Sequence, residues 1–379
     1  MRLLKDEIYK IMSQKIARIA FAAVLLIQIF LIFTAGVYSE ASVVDGQVYR
    51  GFAAIKKDRE ITREFEGELT DEKVNRIADT YGFADYDDDY WNENYLNRFL
   101  DLNGLCDGYL ASWNDYQNPT KTVPIAESDM GKFLEERNLS LNLSYTMGWD
   151  LFESVANVGA ILVCIFLIIA LSPVFAEEYS AGTANILLTT VHGKEKDIWA
   201  KIAASFLVAV GSFAIVTGLT FLLCGSIYGF GGLGCLYGSM EGRWYQLPYG
   251  VNVSFLSIGQ YYLIMMGITL SGILMLTAFI LFASAVAKRT FTSLTISTIF
   301  FVLPAAGWFY LVLVGDSGTD LVWFIRRLIM CMPLYECMSG AIQDTLWSTM
   351  YWYRGISFLV IFLPSLFLAF RLYRNHQAA

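Results

Sequence analysis

Gly229, Gly231 and Gly234 have the G-x-G-x-x-G spacing that can cradle a pyrophosphate, and Asp85, Asp87, Asp88 and Asp89 open like a calcium-binding loop. Neither motif has the context its chemistry needs. The glycine motif requires a strand before it and a helix after it, whose N-terminus holds the anion; here an apolar run precedes the glycines. In the helix–loop–helix calcium site, Tyr90 would occupy the glycine position and Leu96 the bidentate glutamate position. That form fails, which leaves a solvated acidic turn as the default reading and a looser cation site as the alternative. Gly193 and Lys194 come nearest to a P-loop, but Glu195 stands where Ser or Thr would hold the magnesium ion. The chain therefore has no P-loop of its own with which to bind ATP. Its two histidines, His192 and His376, make no Ser-His-Asp or Cys-His arrangement within the apolar runs. No Cys/His spacing reads as a zinc site, and no catalytic residue, cofactor or metal is expected. Of the six cysteines, Cys164 and Cys224 fall in apolar runs as small hydrophobes. Cys331 and Cys337 are the nearest pair in sequence, for which bridged and free states both stay open.

The elements that would position any chemistry are membrane spans. Of the 379 residues, 56% are hydrophobic and 16% charged, against roughly 45–50% and about 25% in soluble domains. The excess is concentrated in runs that approach or pass the ~20 residues needed to cross a bilayer core. These are 16–37, 155–176, 202–230, 258–287, 291–314 and 355–370, the last extended by Trp352 and Tyr353 as an interfacial belt. The expected fold class is an all-α polytopic membrane protein with six transmembrane helices. The first run is too long for a signal h-region and lacks a small-x-small cleavage site, so it reads as a retained anchor. Before it, Leu4, Ile8, Ile11 and Met12 share one helical face. They form either an amphipathic helix lying on the membrane or an extension of the first span.

Charge sets the expected orientation. Residues 38–148 hold 11 lysines and arginines against 22 aspartates and glutamates. Basic residues gather before the first span, at Lys194, Lys196 and Lys201, at Lys288 and Arg289, and at Arg371 and Arg374. The positive-inside rule then puts both termini in the cytoplasm of a multi-pass plasma-membrane protein and residues 38–148 outside. Arg243, Arg326, Arg327 and Arg354 would face outward and weaken that fit.

Three regions follow: 1–37, the amphipathic helix and first span; 38–148, an acidic, mainly helical extracytoplasmic domain; and 149–379, the five remaining spans. In the domain, Thr70 can cap a helix over residues 70–81 that Gly82 ends, with Val74, Ile77, Ala78 and Tyr81 as its apolar stripe. Apolar clusters at 95–102 and 133–143 would supply the opposing faces. Residues 316–354 carry an apolar piece too short to cross and broken by Pro333, which reads as an interfacial or re-entrant segment. None of the six runs holds an ionisable residue in its interior, and Gln28 is the most polar side chain there. Internal charges mark ion-coupled pathways, so their absence argues against a secondary transporter or pump.

The most specific stretch is 175–201, FAEEYSAGTANILLTTVHGKEKDIWAK. Glu177 and Glu178 end the second span, Gly182 and Thr183 turn the chain, Ile186, Leu187 and Leu188 form a short apolar helix, and Lys194 leads toward the third span. This stretch resembles the first cytoplasmic loop of ABC-2-type transporter permeases, with its Glu…Gly-Thr…Leu-Leu…Lys pattern. The helix before the first span, the six spans and the re-entrant piece agree with that architecture. A large domain after the first span occurs in some branches of the family and not in others. The resemblance implies the membrane subunit of an exporter, with 175–201 as the loop that couples it to a separate cytoplasmic ATPase subunit. A second permease subunit, identical or related, completes the pathway in the lipid bilayer, and no nucleic acid is involved. The rival reading is a membrane sensor or scaffold with a ligand-binding outer domain. A membrane-embedded enzyme stands well behind both.

Overall fold

The computed structural model describes residues 2–81, 111–114, 118–183, 195–240, 255–314, 320–338 and 350–375. The acidic run Asp85–Asp89 and the apolar cluster 95–102 lie outside these residues. Among the described residues, six helices are long and apolar enough to cross a membrane: Lys15–Ser39, Met147–Ser180, Lys196–Tyr228, Ile258–Val286, Thr290–Gly307 and Trp352–Arg374. The protein is an all-α polytopic membrane protein, with two compact units. One comprises 1–28, 156–219 and 265–379, the other 29–155 and 220–264.

In the first unit, α1 (Arg2–Ser13) is separate from α2 (Lys15–Leu31). Its apolar stripe is spent on protein: Ile11 is buried, and Leu4, Ile8 and Met12 pack on the same core. Gln28, deep in α2, is fully buried beside Gly159, where an added Cβ would come within 2.8 Å of its amide nitrogen. Buried amides of this kind hold membrane helices together where a small residue allows close approach. The second span is two helices, α6 (Met147–Leu171) and α7 (Pro173–Ser180). Pro173 cannot donate the hydrogen bond that would continue α6. Ser284 of α9 (Ile258–Val286) mends the break. Its hydroxyl accepts from the Phe175 and Ala176 amides at 3.0 and 3.1 Å and donates to the Ser172 carbonyl at 2.8 Å. Two orphan amides of the new helix end are thereby satisfied without water.

After α10 (Thr290–Val314) come α11 (Asp320–Met330), the single turn α12 (Pro333–Glu336) and the last span, α13 (Met350–Arg374). Glu336 is buried, with Oε2 accepting from Ser271 Oγ at 2.7 Å and its backbone carbonyl accepting from Thr269 Oγ1 at 3.2 Å. Gly272 makes this approach possible, because a Cβ there would lie 2.8 Å from Glu336 Cβ. The absence of buried charge inferred from the apolar runs is therefore corrected. Glu336 and Arg354 lie outside those runs in sequence yet are both buried. Of the two states left open for Cys331 and Cys337, the structure has the free one, and Cys337 Sγ lies 3.7 Å from Cys164 Sγ of α6.

In the second unit, α2 continues through a π turn (Ile32–Gly36) and a 3₁₀ turn (Val37–Ser39). The hairpin β1 (Ala41–Val44) and β2 (Gln47–Arg50) follows, then α3 (Phe52–Phe65), β3 (Gly67–Glu68) and α4 (Asp71–Tyr81). Val44 pairs with Gln47 across Asp45 and Gly46, both at positive φ, which is the backbone a two-residue hairpin turn requires. Beyond them, β4 (Ala111–Asn114) and β5 (Asn118–Thr122) pair antiparallel, and β3 pairs with β6 (Asn142–Leu143). The Lys73 amide donates to Thr70 Oγ1 at 3.3 Å, so Thr70 sits at the cap of α4. Val74 and Ile77 are buried with Ile61, Phe65 and Phe133, Leu134, Leu141 and Leu143 in one core. Phe133 and Leu134 come from α5 (Asp129–Glu136), which Ser128 caps by accepting from the Gly131 amide at 2.9 Å.

Candidate functional site

Glu178 organises the densest charged cluster in the first unit. It stands on α7, next to Glu177, but the two carboxylates have opposite surroundings: Glu177 is exposed and Glu178 is 3% exposed. Glu178 is therefore not a carboxylate emerging at the surface, as its place at the end of an apolar run suggested. Its Oε1 accepts from Lys10 Nζ at 2.8 Å and from Lys201 Nζ at 2.7 Å, and its Oε2 accepts from the Tyr373 hydroxyl. Lys201 is 1% exposed, in α8 (Lys196–Tyr228). It also donates to Glu7 Oε1 at 2.9 Å and lies 3.6 Å from Asp197 Oδ2, one helical turn back. In the sequence Lys201 is one of the basic residues between the second and third spans; the structure makes it the centre of a buried ion network.

Four helices are joined at this point: α1 through Glu7 and Lys10, α7 through Glu178, α8 through Asp197 and Lys201, and α13 through Tyr373. The Tyr373 ring also packs on Phe175 and Tyr179, with centroids 4.6 and 5.6 Å away. Tyr179 Oη donates to the Ala285 carbonyl of α9 at 3.2 Å. Nearby, Arg374 of α13 pairs with Glu195 at 3.2 Å, just ahead of α8. A charge withdrawn from water costs several kcal/mol unless geometry and hydrogen bonding repay it. Here the anion accepts three bonds and the ammonium is matched to two carboxylates at short range. The arrangement can transmit force, because displacing any one helix strands a buried charge on the others. It offers no nucleophile or general base set against an open cleft.

Past Glu178 the chain turns. The Ala181 amide donates to the Glu177 carbonyl at 2.8 Å and the Gly182 amide to the Tyr179 carbonyl at 3.1 Å. Gly182 has φ +69° with nothing within 4 Å of a Cβ built on it, a left-handed helix stop for which glycine suits best. Thr183 Oγ1 lies 3.4 Å from the Glu178 carbonyl. Ile186, Leu187, Leu188 and Lys194 fall outside the described residues. Of the eight residues singled out in the sequence, Glu178 joins the network and Gly182 and Thr183 close the turn after it. Glu7, Lys10, Asp197, Lys201 and Tyr373 were missed. The i, i+4 spacing of Asp197 and Lys201 was a legible signal; the partners 168 and 195 residues from Glu178 had none.

The glycines that mimic a dinucleotide motif have another role, in the second unit. They follow a helix, not a strand; Gly229 (φ +105°) ends α8 and Gly232 has φ +77°. The Gly231 carbonyl accepts from Trp149 Nε1 at 2.6 Å. Glu153, also buried, accepts from Tyr261 Oη at 3.0 Å and Tyr237 Oη at 3.1 Å.

Comparison with protein families places these features in a class. A family model described as ABC-2 family transporter protein matches residues 1–316. The chain belongs to that family: it is a multi-pass membrane protein, a permease component of an ABC transporter. Membership implies association with an ABC ATPase and with the membrane. Neither a curated protein nor a solved structure matches it.

Proposed function

We propose that this chain is the membrane-spanning subunit of an exporter powered by ATP hydrolysed on a separate cytoplasmic subunit, with residues 175–201 as the contact between the two. The observation that supports this reading most is the Glu178 network at the root of that segment. A push on the segment would be delivered to α7 and α8, and through Lys10 and Tyr373 to α1 and α13, as rigid-body movement. Both termini lie in the cytoplasm, and a second permease subunit, identical or related, completes the pathway.

Leu187 and Leu188 supply the apolar contact with the ATPase, as short amphipathic helices do in partner grooves. Changing both to Asp puts charge into a desolvated contact. The double variant is expected to insert at normal levels and to lose its ATPase on co-purification, or to lose transport-stimulated hydrolysis. Wild-type partner binding and hydrolysis would reduce 175–201 to a connection and favour a membrane sensor with a ligand-binding domain instead. The orientation has its own check, a cysteine-free background carrying single cysteines. On intact cells an impermeant thiol reagent should label Ser112→Cys and spare Ser180→Cys; the opposite pattern means the topology is inverted.

A further inference from the structure

In the second unit, two carboxylates are buried where the domain between the first and second spans begins. Glu40, 8% exposed, directly follows the first span, and Asp58, 6% exposed, lies on α3. Glu40 is close enough for its negative charge to bear on the Asp58 carboxyl. α3 packs against β1 and β2, and Ile55 of α3 is buried with Val37, Tyr145 and Tyr228. The Gly51 amide at the head of α3 donates to the Glu40 carbonyl at 2.9 Å. The acids therefore sit inside the seam that seats α3.

Their partners are unequal. Glu40 Oε1 accepts from the Tyr228 hydroxyl at 3.0 Å, a bond that favours its ionised form. Asp58 Oδ1 is buried without a well-formed hydrogen bond among the described residues, and the Ser42 hydroxyl on β1 is the one polar group set to favour its charge. No cation forms an ion pair with either acid among those residues. Arg59, next on α3, lays its guanidinium over Gly229. β1 brings no titratable side chain, β2 brings Tyr49, whose hydroxyl donates to Gln47, and Arg50, and the end of α8 brings Tyr228. Two buried like charges without a cation cannot both ionise cheaply.

We propose that Asp58 and Glu40 form a proton-operated latch: with a proton held on Asp58, α3 is seated on β1, β2 and the end of α8, and loss of that proton loosens the seat. Burial pushes the Asp58 carboxyl up to about 7; the Ser42 hydroxyl opposes it, and the Glu40 charge adds a smaller push in the same direction. Burial raises Glu40 as well. The folded value of Asp58 is raised, so its contribution to stability is complete below the ordinary carboxylate range. It is lost as pH climbs through about 7.

Hydrogen–deuterium exchange of the full chain in lipid nanodiscs tests this, on peptides from residues 41–65 between pH 5 and 8, with rates normalised to the intrinsic rate at each pH. In the wild type the opening constant is expected to rise about tenfold per pH unit up to pH 7 and level off above it. Asp58→Asn, which keeps the shape and removes the titration, should flatten the profile. Glu40→Gln should move the levelling point to lower pH, since it removes the repelling charge. A flat wild-type profile, or a full rise retained in Asp58→Asn, would overturn the latch. If Asp58→Asn does not insert, an unmoved profile in Glu40→Gln overturns it as well.

Discussion

Lys201→Met is expected to lower the stability of the membrane unit by about 3–5 kcal/mol, the usual result of removing one partner from a buried ion pair. Lys201 is 1% exposed, and its loss leaves Glu178 with only the partly exposed Lys10 as a cation, and Glu7 without its short contact to Lys201. Adding Glu178→Gln should restore most of the loss, because glutamine can still accept from Tyr373 through its amide oxygen and carries no charge to strand. Thermal unfolding of the single and double variants in detergent measures the coupling as a double-mutant cycle. The same set separates structure from transmission. If the network carries force, the double variant regains stability and still shows weak coupling between hydrolysis and transport. Lys201→Met unfolding like the wild type would mean that the charges are solvated and that no network operates.

Gly272→Leu should unseat the short helix α12. A Cβ at this position would stand 2.8 Å from Glu336 Cβ, 3.0 Å from its Oε2 and 3.2 Å from the Pro333 carbonyl. The backbone carbonyl cannot swing aside as a side-chain end could, and overpacking a tight contact costs about 1–3 kcal/mol. The larger leucine also displaces the Ser271–Glu336 bond, leaving a buried carboxylate short of a donor. The expected readout is exposure of Cys337, fully buried against Cys164 in the wild type. Maleimide labelling of Cys337, located by mass spectrometry, should rise at least severalfold over the wild type with the six spans still inserted. Unchanged labelling would show that α12 is not held at Gly272.

The sequence alone determined the spans, because a bilayer dictates how many apolar residues a helix needs, and hydropathy is a local property. It determined α4 in the same way: Thr70, the acidic first turn and the stripe through Val74 and Ile77 all lie within one helix. The hairpin at Asp45-Gly46 carried a comparable local signal, an Asp-Gly pair between two short runs rich in strand formers. Tertiary structure decided the rest. A carboxylate at the end of an apolar run reads as a surface charge until another helix arrives. Glu178 is buried because α1, α8 and α13 bring Lys10, Lys201 and Tyr373 to it. Cys337 meets Cys164 for the same kind of reason, the packing of α12's end against α6. Spacing along the chain fixes which residues share a helix face. Which faces then meet is fixed by close packing among helices, where glycines such as Gly159 and Gly272 set how near they come and buried charges must find partners.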